Sequence, residues 1–344
     1  MEQPVLRLGL LGFAAEPSQR LRDWAERPSQ GWPQWQVGDP HRADAWLIDG
    51  RAVELLGRDA LLIHHPPGQA CLSLHRTEVD RPLAFAVPLP EGFASAESFE
   101  AGDESSLRQR LQRFEAWLRP LRSQFALGEQ LVSRLTAFRS DVVHLMCQGQ
   151  LLAVIDFPRW QCGLRVPARP VDLASADWVR RPARANDIPG AFLRLSLHHV
   201  MWVFAVRTRS DILPERYRER RFHLRRVPRL PLRWFDPLHL CLMEALSMAP
   251  GTLDELAPRL EVAPDVLARH TAALFYAGGL TTDADSAQRA QAKVRQALLA
   301  LRFGEDPHAG TGMNGRTTQP SELMVPSSIL REAPRSPLRP AGRD

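Results

Sequence analysis

The sequence predicts a multidomain chain that joins an α/β unit to α+β ones. A small α/β sheet domain comes first, a middle mixed domain follows, and a three-helix module lies near the C-terminus. Three observations carry this. Short apolar runs alternate with helical spacing up to about residue 92. Residues 142–157 read as a hairpin, with an amphipathic helix further on. Residues 236–282 carry three helices with capping signals and a closing strand. At 344 residues the chain has room for two or three domains. The boundaries fall at 1–100, a connector helix at 101–140, 141–233, 234–303 and a tail at 304–344.

In the first unit Val5–Phe13 is apolar and strand-like. Pro17–Glu26 follows with helical spacing, Pro17 suiting a first turn and Leu21, Trp24 and Ala25 sharing a face. Trp35–Val37 is a short strand, and Ala45–Ile48 is an apolar strand that ends at Asp49-Gly50. Val53–Leu56 reads as one helical turn or more, and Ala60–His64, Cys71–Leu74 and Leu83–Val87 as further short strands. Strands alternating with helices indicate a parallel, doubly wound sheet. The later connections are too short for regular helical crossovers, so part of the sheet is expected to be antiparallel or eroded.

Glu104–Arg134 is the strongest helical region, with Leu107, Leu111, Phe114, Leu118 and Leu121 at three- and four-residue steps. Pro120 imposes a kink or a fresh start. This connector offers either a homo-oligomer contact or packing on its own domain. Val142–Phe157 forms two strands around Gln148-Gly149-Gln150, and Cys162–Val166 adds another. Trp178–Val179 sits in a loop rich in Pro and Arg. A second helix is expected from Asp187 as cap and Pro189 in the first turn, with Phe192, Leu195, Val200, Met201 and Phe204 as its apolar face. Prolines 214, 228 and 231 keep any helix in Arg207–Arg233 short.

Leu238–Leu246 is an amphipathic helix. Thr252-Leu253-Asp254-Glu255 has the form of a capping box and starts a second helix through Leu260. Ala263-Pro264-Asp265 starts a third, which Gly278-Gly279 terminates before the strand Leu280–Thr282. Ala284–Phe303 reads as a helix packed behind these. Residues 304–344 hold six prolines, five glycines and no aromatic residue, too little apolar surface to offset chain entropy, so the tail is expected to be disordered.

Composition narrows the function. The longest uninterrupted apolar run, Val200–Val206, is seven residues, against about 20 for a membrane span. Met1–Gly12 carries Glu2 and Arg7 and has no long apolar run, so no secretory leader is expected. Cys71, Cys147, Cys162 and Cys241 are far apart and form no CxxC, which excludes a zinc ribbon and fits a reducing cytoplasm. Net charge is +5, and all basic residues but Lys293 are arginine, as codon bias in a GC-rich genome produces. Position says more than content. Arg207–Arg233 holds ten arginines against Asp211, Glu215 and Glu219, a local balance of +7. Such a stripe attracts phosphates or an acidic partner, or is a solvated face paired internally.

Gly9 and Gly12 do not make a GxGxxG, and no GxxxxGK[ST] or GxSxG occurs. His64-His65 and His198-His199 are adjacent pairs whose side chains diverge, which suits no chelate. No single cysteine has an identifiable local partner. No catalytic residue, metal ligand or cofactor is therefore expected.

Asp44-Ala45-Trp46-Leu47-Ile48-Asp49 places an acid at the end of an apolar strand. This resembles the phosphoacceptor strand of response-regulator receiver domains, over the first 90 to 120 residues. A working receiver also needs an acidic pair after its first strand to hold Mg²⁺, and a lysine after its last. Here the first strand ends Leu10-Leu11-Gly12-Phe13-Ala14, the last leads into Pro88-Leu89-Pro90, and the domain has no lysine. The resemblance thus implies a degenerate receiver, with Asp49 an acceptor-like but inactive position. The three C-terminal helices and their strand resemble a winged helix-turn-helix. Its third helix offers Arg269, His270 and Thr271 beside Asp265, few phosphate contacts for DNA, and suits a protein partner better. Arg216/Arg220, Arg221/Arg225 and Arg225/Arg229 resemble the first half of a PilZ-type cyclic-dinucleotide motif, whose second half is missing downstream.

The expectation is a cytoplasmic, non-enzymatic regulatory adaptor acting on protein partners. The alternatives are a DNA-binding regulator or a cyclic-dinucleotide effector, using Arg216, Arg218, Arg220, Arg221, Arg225, Arg226, Arg269 and His270.

Overall fold

The structure is a computed structural model. It describes residues 2–28, 33–56, 60–64, 71–75, 79–87, 89, 97–290 and 298, with only the backbone of Arg233. The chain is mixed α/β with parallel and antiparallel sheets. No helix among the described residues is long and apolar enough to cross a membrane.

The first unit begins with β1 (Val5–Leu11), α1 (Ala15–Ala25), β2 (Gln34–Gly38) and β3 (Ala45–Asp49). A small antiparallel sheet follows, made of β4 (Val53–Leu55), β5 (Ala60–Ile63) and β6 (Leu72–His75). The chain then returns to the main sheet with β7 (Leu83–Ala86) and β8 (Ser98–Phe99). All pairings in the main sheet are parallel, in the order β2-β1-β3-β7-β8. Residues 45–48 of β3 are all buried, as a central parallel strand requires. Side chains alternate between two apolar layers. Leu6, Leu8, Leu47 and Ala84 face α1 and α2 (Glu104–Trp117), whereas Leu11, Trp46, Ile48 and Phe85 face the small sheet. Val53–Leu55 is therefore a strand and not a helical turn. Its β-branched Val53 pairs with Ile63, and the small sheet covers the face where a crossover helix would lie.

The connector is two helices. α2 ends at Leu118, and α3 (Arg119–Arg134) starts afresh with Pro120 near its N-terminus. α2 packs on the first unit, whereas α3 belongs to the second core. A Cβ on Gly128 of α3 would lie 2.6 Å from both the Phe204 Cβ and the Val200 carbonyl oxygen. Only glycine allows that approach.

The second sheet is antiparallel, in the order β12-β9-β10-β11-β13. β9 (Val142–Cys147) and β10 (Gln150–Asp156) form the expected hairpin, turning at Gln148 and Gly149, both with positive φ. β11 (Gln161–Arg165) and the short α4 (Pro170–Ala174) follow. The expected loop at Trp178–Val179 is instead the edge strand β12 (Asp177–Arg181), paired with β9. The helix expected from Asp187 starts later. Phe192–Ser196 is β13, paired with β11, and α5 (Leu197–Ala205) is capped by the Ser196 hydroxyl, which accepts from the His199 N–H at 3.1 Å. The apolar residues before Ser196 follow the strand period and are drawn into the sheet.

A short α6 (Glu215–Arg218) and β14 (His223–Leu224) lead to α7 (Pro237–Met248), α8 (Leu253–Leu260), α9 (Pro264–Tyr276) and β15 (Leu280–Thr281). The capping box holds in both directions. Thr252 N–H donates to Glu255, and Glu255 N–H donates to the Thr252 hydroxyl, at 3.0 and 3.3 Å. β15 pairs with β14, from upstream of the helices, and Phe222 bridges to Gly251 beside it. One apolar core runs continuously from α3 through the second sheet into α7, α8 and α9. Residues 284–290 are helical, and the expected tail lies outside the described residues.

Candidate functional site

Asp49 does stand at the carboxyl end of β3, in the centre of the parallel sheet. Its carboxylate caps the 3₁₀ turn Gly50–Ala52, accepting from the Arg51 N–H at 3.0 Å. Gly12, at the end of β1, has φ +78°, and a Cβ there would lie 2.5 Å from the Ala52 Cβ. The turn that Asp49 caps thus packs directly on the place where a receiver's acidic pair would follow the first strand.

One arrangement near this end is not visible in the sequence. Cys71 Sγ lies 3.7 Å from His64 Nδ1, and His64 Nε2 lies 2.9 Å from the Glu54 carboxylate. Glu54 is on β4, and His64 and Cys71 lie just past the end of β5 and just before β6, which antiparallel pairing brings together; all three are exposed.

The arginine stripe divides. Arg218 pairs with Asp211 and Glu215, and Arg221 with Glu255 at 2.6 Å while also donating to the Pro250 carbonyl. Arg226 is partly buried, donates to the Gly278 carbonyl, and has its pKa lowered by desolvation and by Arg225. Arg216 lies over the Tyr217 ring. Arg216, Arg220 and Arg225 are exposed, as is Arg229. The stripe is thus part scaffold, part open cationic surface.

On α9, Arg269 is exposed near Asp265, while Leu267, Ala268, Thr271, Ala272 and Leu274 are buried. The helix is wedged between α5 and the other C-terminal helices, leaving mainly its first turn and Arg269 open. His270 is turned inward. The Asp236 N–H donates to His239 Nδ1 at 2.9 Å, so His239 carries its proton on Nε2 and donates it to His270 Nδ1 at 3.1 Å. Burial drives the His239 pKa well down, and His270 beside it adds to the shift. The Asp236 carboxylate accepts from Arg42 at 2.6 Å, tying α7 to the first unit.

That contact borders a cavity of about 110 Å³ at the junction of the two cores. Arg207, just after α5, grips Asp44 with two hydrogen bonds of 2.7 Å, each residue's side chain only 11% exposed. The same loop pairs with β1, since the Val5 N–H donates to the Arg207 carbonyl at 3.0 Å. Arg81 stacks over Trp46 at 4.4 Å, and one of its nitrogens donates to the carbonyls of Pro40, His41 and Ala43, fixing the turn that carries Arg42. From the second unit, His199 Nε2–H donates to the Gln124 Oε1 at 3.0 Å, and the His199 ring meets the Trp234 ring edge-on. The cavity lies toward the amino ends of β1 and β3, away from Asp49. None of its residues is a sequence-predicted site residue. The available signal was Arg7, a charge inside the apolar strand Val5–Leu11.

No family model, curated protein or solved structure matches the chain.

Proposed function

We propose that the chain is a cytoplasmic, non-enzymatic signalling adaptor that acts through protein–protein contacts. In this reading the first unit is receiver-like and has lost phosphotransfer. The observation that carries it is the parallel strand order β2-β1-β3-β7-β8, the 2-1-3-4-5 order of flavodoxin-like folds, with Asp49 at the end of the middle strand. Asp49 is committed to a turn, and Ala52 packs where metal-binding acids would be needed. The C-terminal helices are read as a winged-helix relative whose third helix is used for internal packing. Its buried face favours a protein partner over groove readout.

A second reading, nucleic-acid binding, is favoured by Arg216, Arg220, Arg225 and Arg229, all exposed on one stripe. Fluorescence anisotropy of the full chain with a random-sequence duplex, at about 50 and about 200 mM salt, separates the two. The adaptor reading expects no binding tighter than weak, salt-erased association. Micromolar or tighter binding at the higher salt, lost on Arg220→Ala with Arg225→Ala, overturns it.

A further inference from the structure

Among the described residues, the ion pairs around the junction cavity leave one cation over. Arg207 pairs with Asp44, Arg42 with Asp236, and Arg81 with Asp80. Arg7 also lines the cavity, and its guanidinium donates no hydrogen bond to any described residue. The Nε atoms of Arg42 and Arg207 are buried and have no hydrogen-bond partner among the described residues. A half-buried guanidinium with idle donors at a cavity wall favours a counter-charge that joins it. Trp117, Trp202 and Trp234 also line the cavity and supply apolar wall. The Trp234 ring is held by His199 at 4.8 Å, and that of Trp202 lies 4.8 Å from His239, so both planes are fixed in advance.

We propose that this cavity binds a small organic oxyanion, a carboxylate or phosphate monoester on a single ring or short carbon skeleton, with Arg7 as its principal counter-charge and the tryptophans as its apolar wall. The volume sets the size. About 110 Å³ is somewhat smaller than a cavity of roughly 150 Å³ that admits benzene, so the enclosed part holds one ring or the anion with a few carbons. The charge sets the sign. Arg7 remains protonated at neutral pH even though burial, with Arg207 nearby, lowers its pKa to about 10. Both units and α2 contribute lining residues, so a ligand bridges the two cores. The inference goes beyond the adaptor reading and does not depend on it.

The test uses the full chain and four probes: benzoate, phenyl phosphate, inorganic phosphate and benzamide. Binding is read by isothermal titration and by quenching of tryptophan fluorescence. Benzoate or phenyl phosphate is expected to bind, with inorganic phosphate weaker and the neutral benzamide weakest. Preference between the first two tells carboxylate from phosphate monoester. Arg7→Met, which keeps the stem and removes the charge, is expected to weaken the better anion about tenfold or more and leave benzamide unchanged. Should that variant not fold, Trp117→Ala is expected to weaken the ring-bearing anions without changing inorganic phosphate. The proposal is overturned if neither organic anion binds at millimolar concentration, if benzamide binds as well as benzoate, or if a folded Arg7→Met binds the anions like the parent.

Discussion

Asp44→Asn tests the joint between the two cores. The Asp44 carboxylate accepts two hydrogen bonds of 2.7 Å from Arg207, and a third of 2.8 Å from the Arg7 backbone N–H. Both partners' side chains are 11% exposed, so water screens the pair little. Asparagine keeps the shape and an acceptor, but removes the charge that balances Arg207 and that also acts on the neighbouring Arg7. Breaking a buried pair in this way costs about 3–5 kcal/mol. At roughly 2–4 °C per kcal/mol, that lowers Tm by about 10 °C. Calorimetry of the parent, Asp44→Asn, Arg207→Met and the double variant measures it. The double variant is expected to be more stable than Asp44→Asn alone, because it strands no charge. A single-variant loss below about 1 kcal/mol, or strictly additive losses, would refute the reasoning.

Other expectations follow from single contacts. Gly128→Val forces a side chain into the Phe204 Cβ and the Val200 carbonyl, both 2.6 Å from its Cβ, and should cost about 1–3 kcal/mol or more by thermal unfolding. Thr252→Ala removes the acceptor for the Glu255 N–H and should cost about 1 kcal/mol; no loss would mean that the capping box does not set the start of α8. His198 and His199 have pKa values lowered to about 4, chiefly by burial. The unfolded chain then binds protons that the fold refuses, so stability present at pH 7 is lost as pH falls from about 6.5 toward 4. Calorimetry at pH 7 and pH 5 checks this, and His199→Gln should flatten the dependence.

Local signals were legible in the sequence and long-range ones were not. Thr252 with Glu255, Gln148-Gly149 and Gly278 declared a cap, a hairpin and a helix end, because each acts within a few residues. Asp187-Ile188-Pro189 imitated a helix start, but the sheet drew Phe192–Ser196 into a strand and left Ser196 as the cap. Val53–Leu55 gave too few residues to reveal its period, and pairing with β5 decided it. Asp49 was placed by its strand alone. The junction cavity was invisible because Arg7, Arg42, Trp117, Trp202 and Trp234 meet only through tertiary packing. The basic stripe drew notice through local density, yet Arg218, Arg221 and Arg226 are tied into the fold.

On the proposed adaptor reading, the first unit does not accept a phosphoryl group at Asp49. Intact-mass spectrometry of the full chain after incubation with acetyl phosphate and Mg²⁺ tests it most directly. An unchanged mass is expected, because Asp49 caps the Gly50–Ala52 turn and Ala52 packs beside Gly12 where metal-holding acids would stand. An added phosphoryl group that disappears in Asp49→Asn would contradict it.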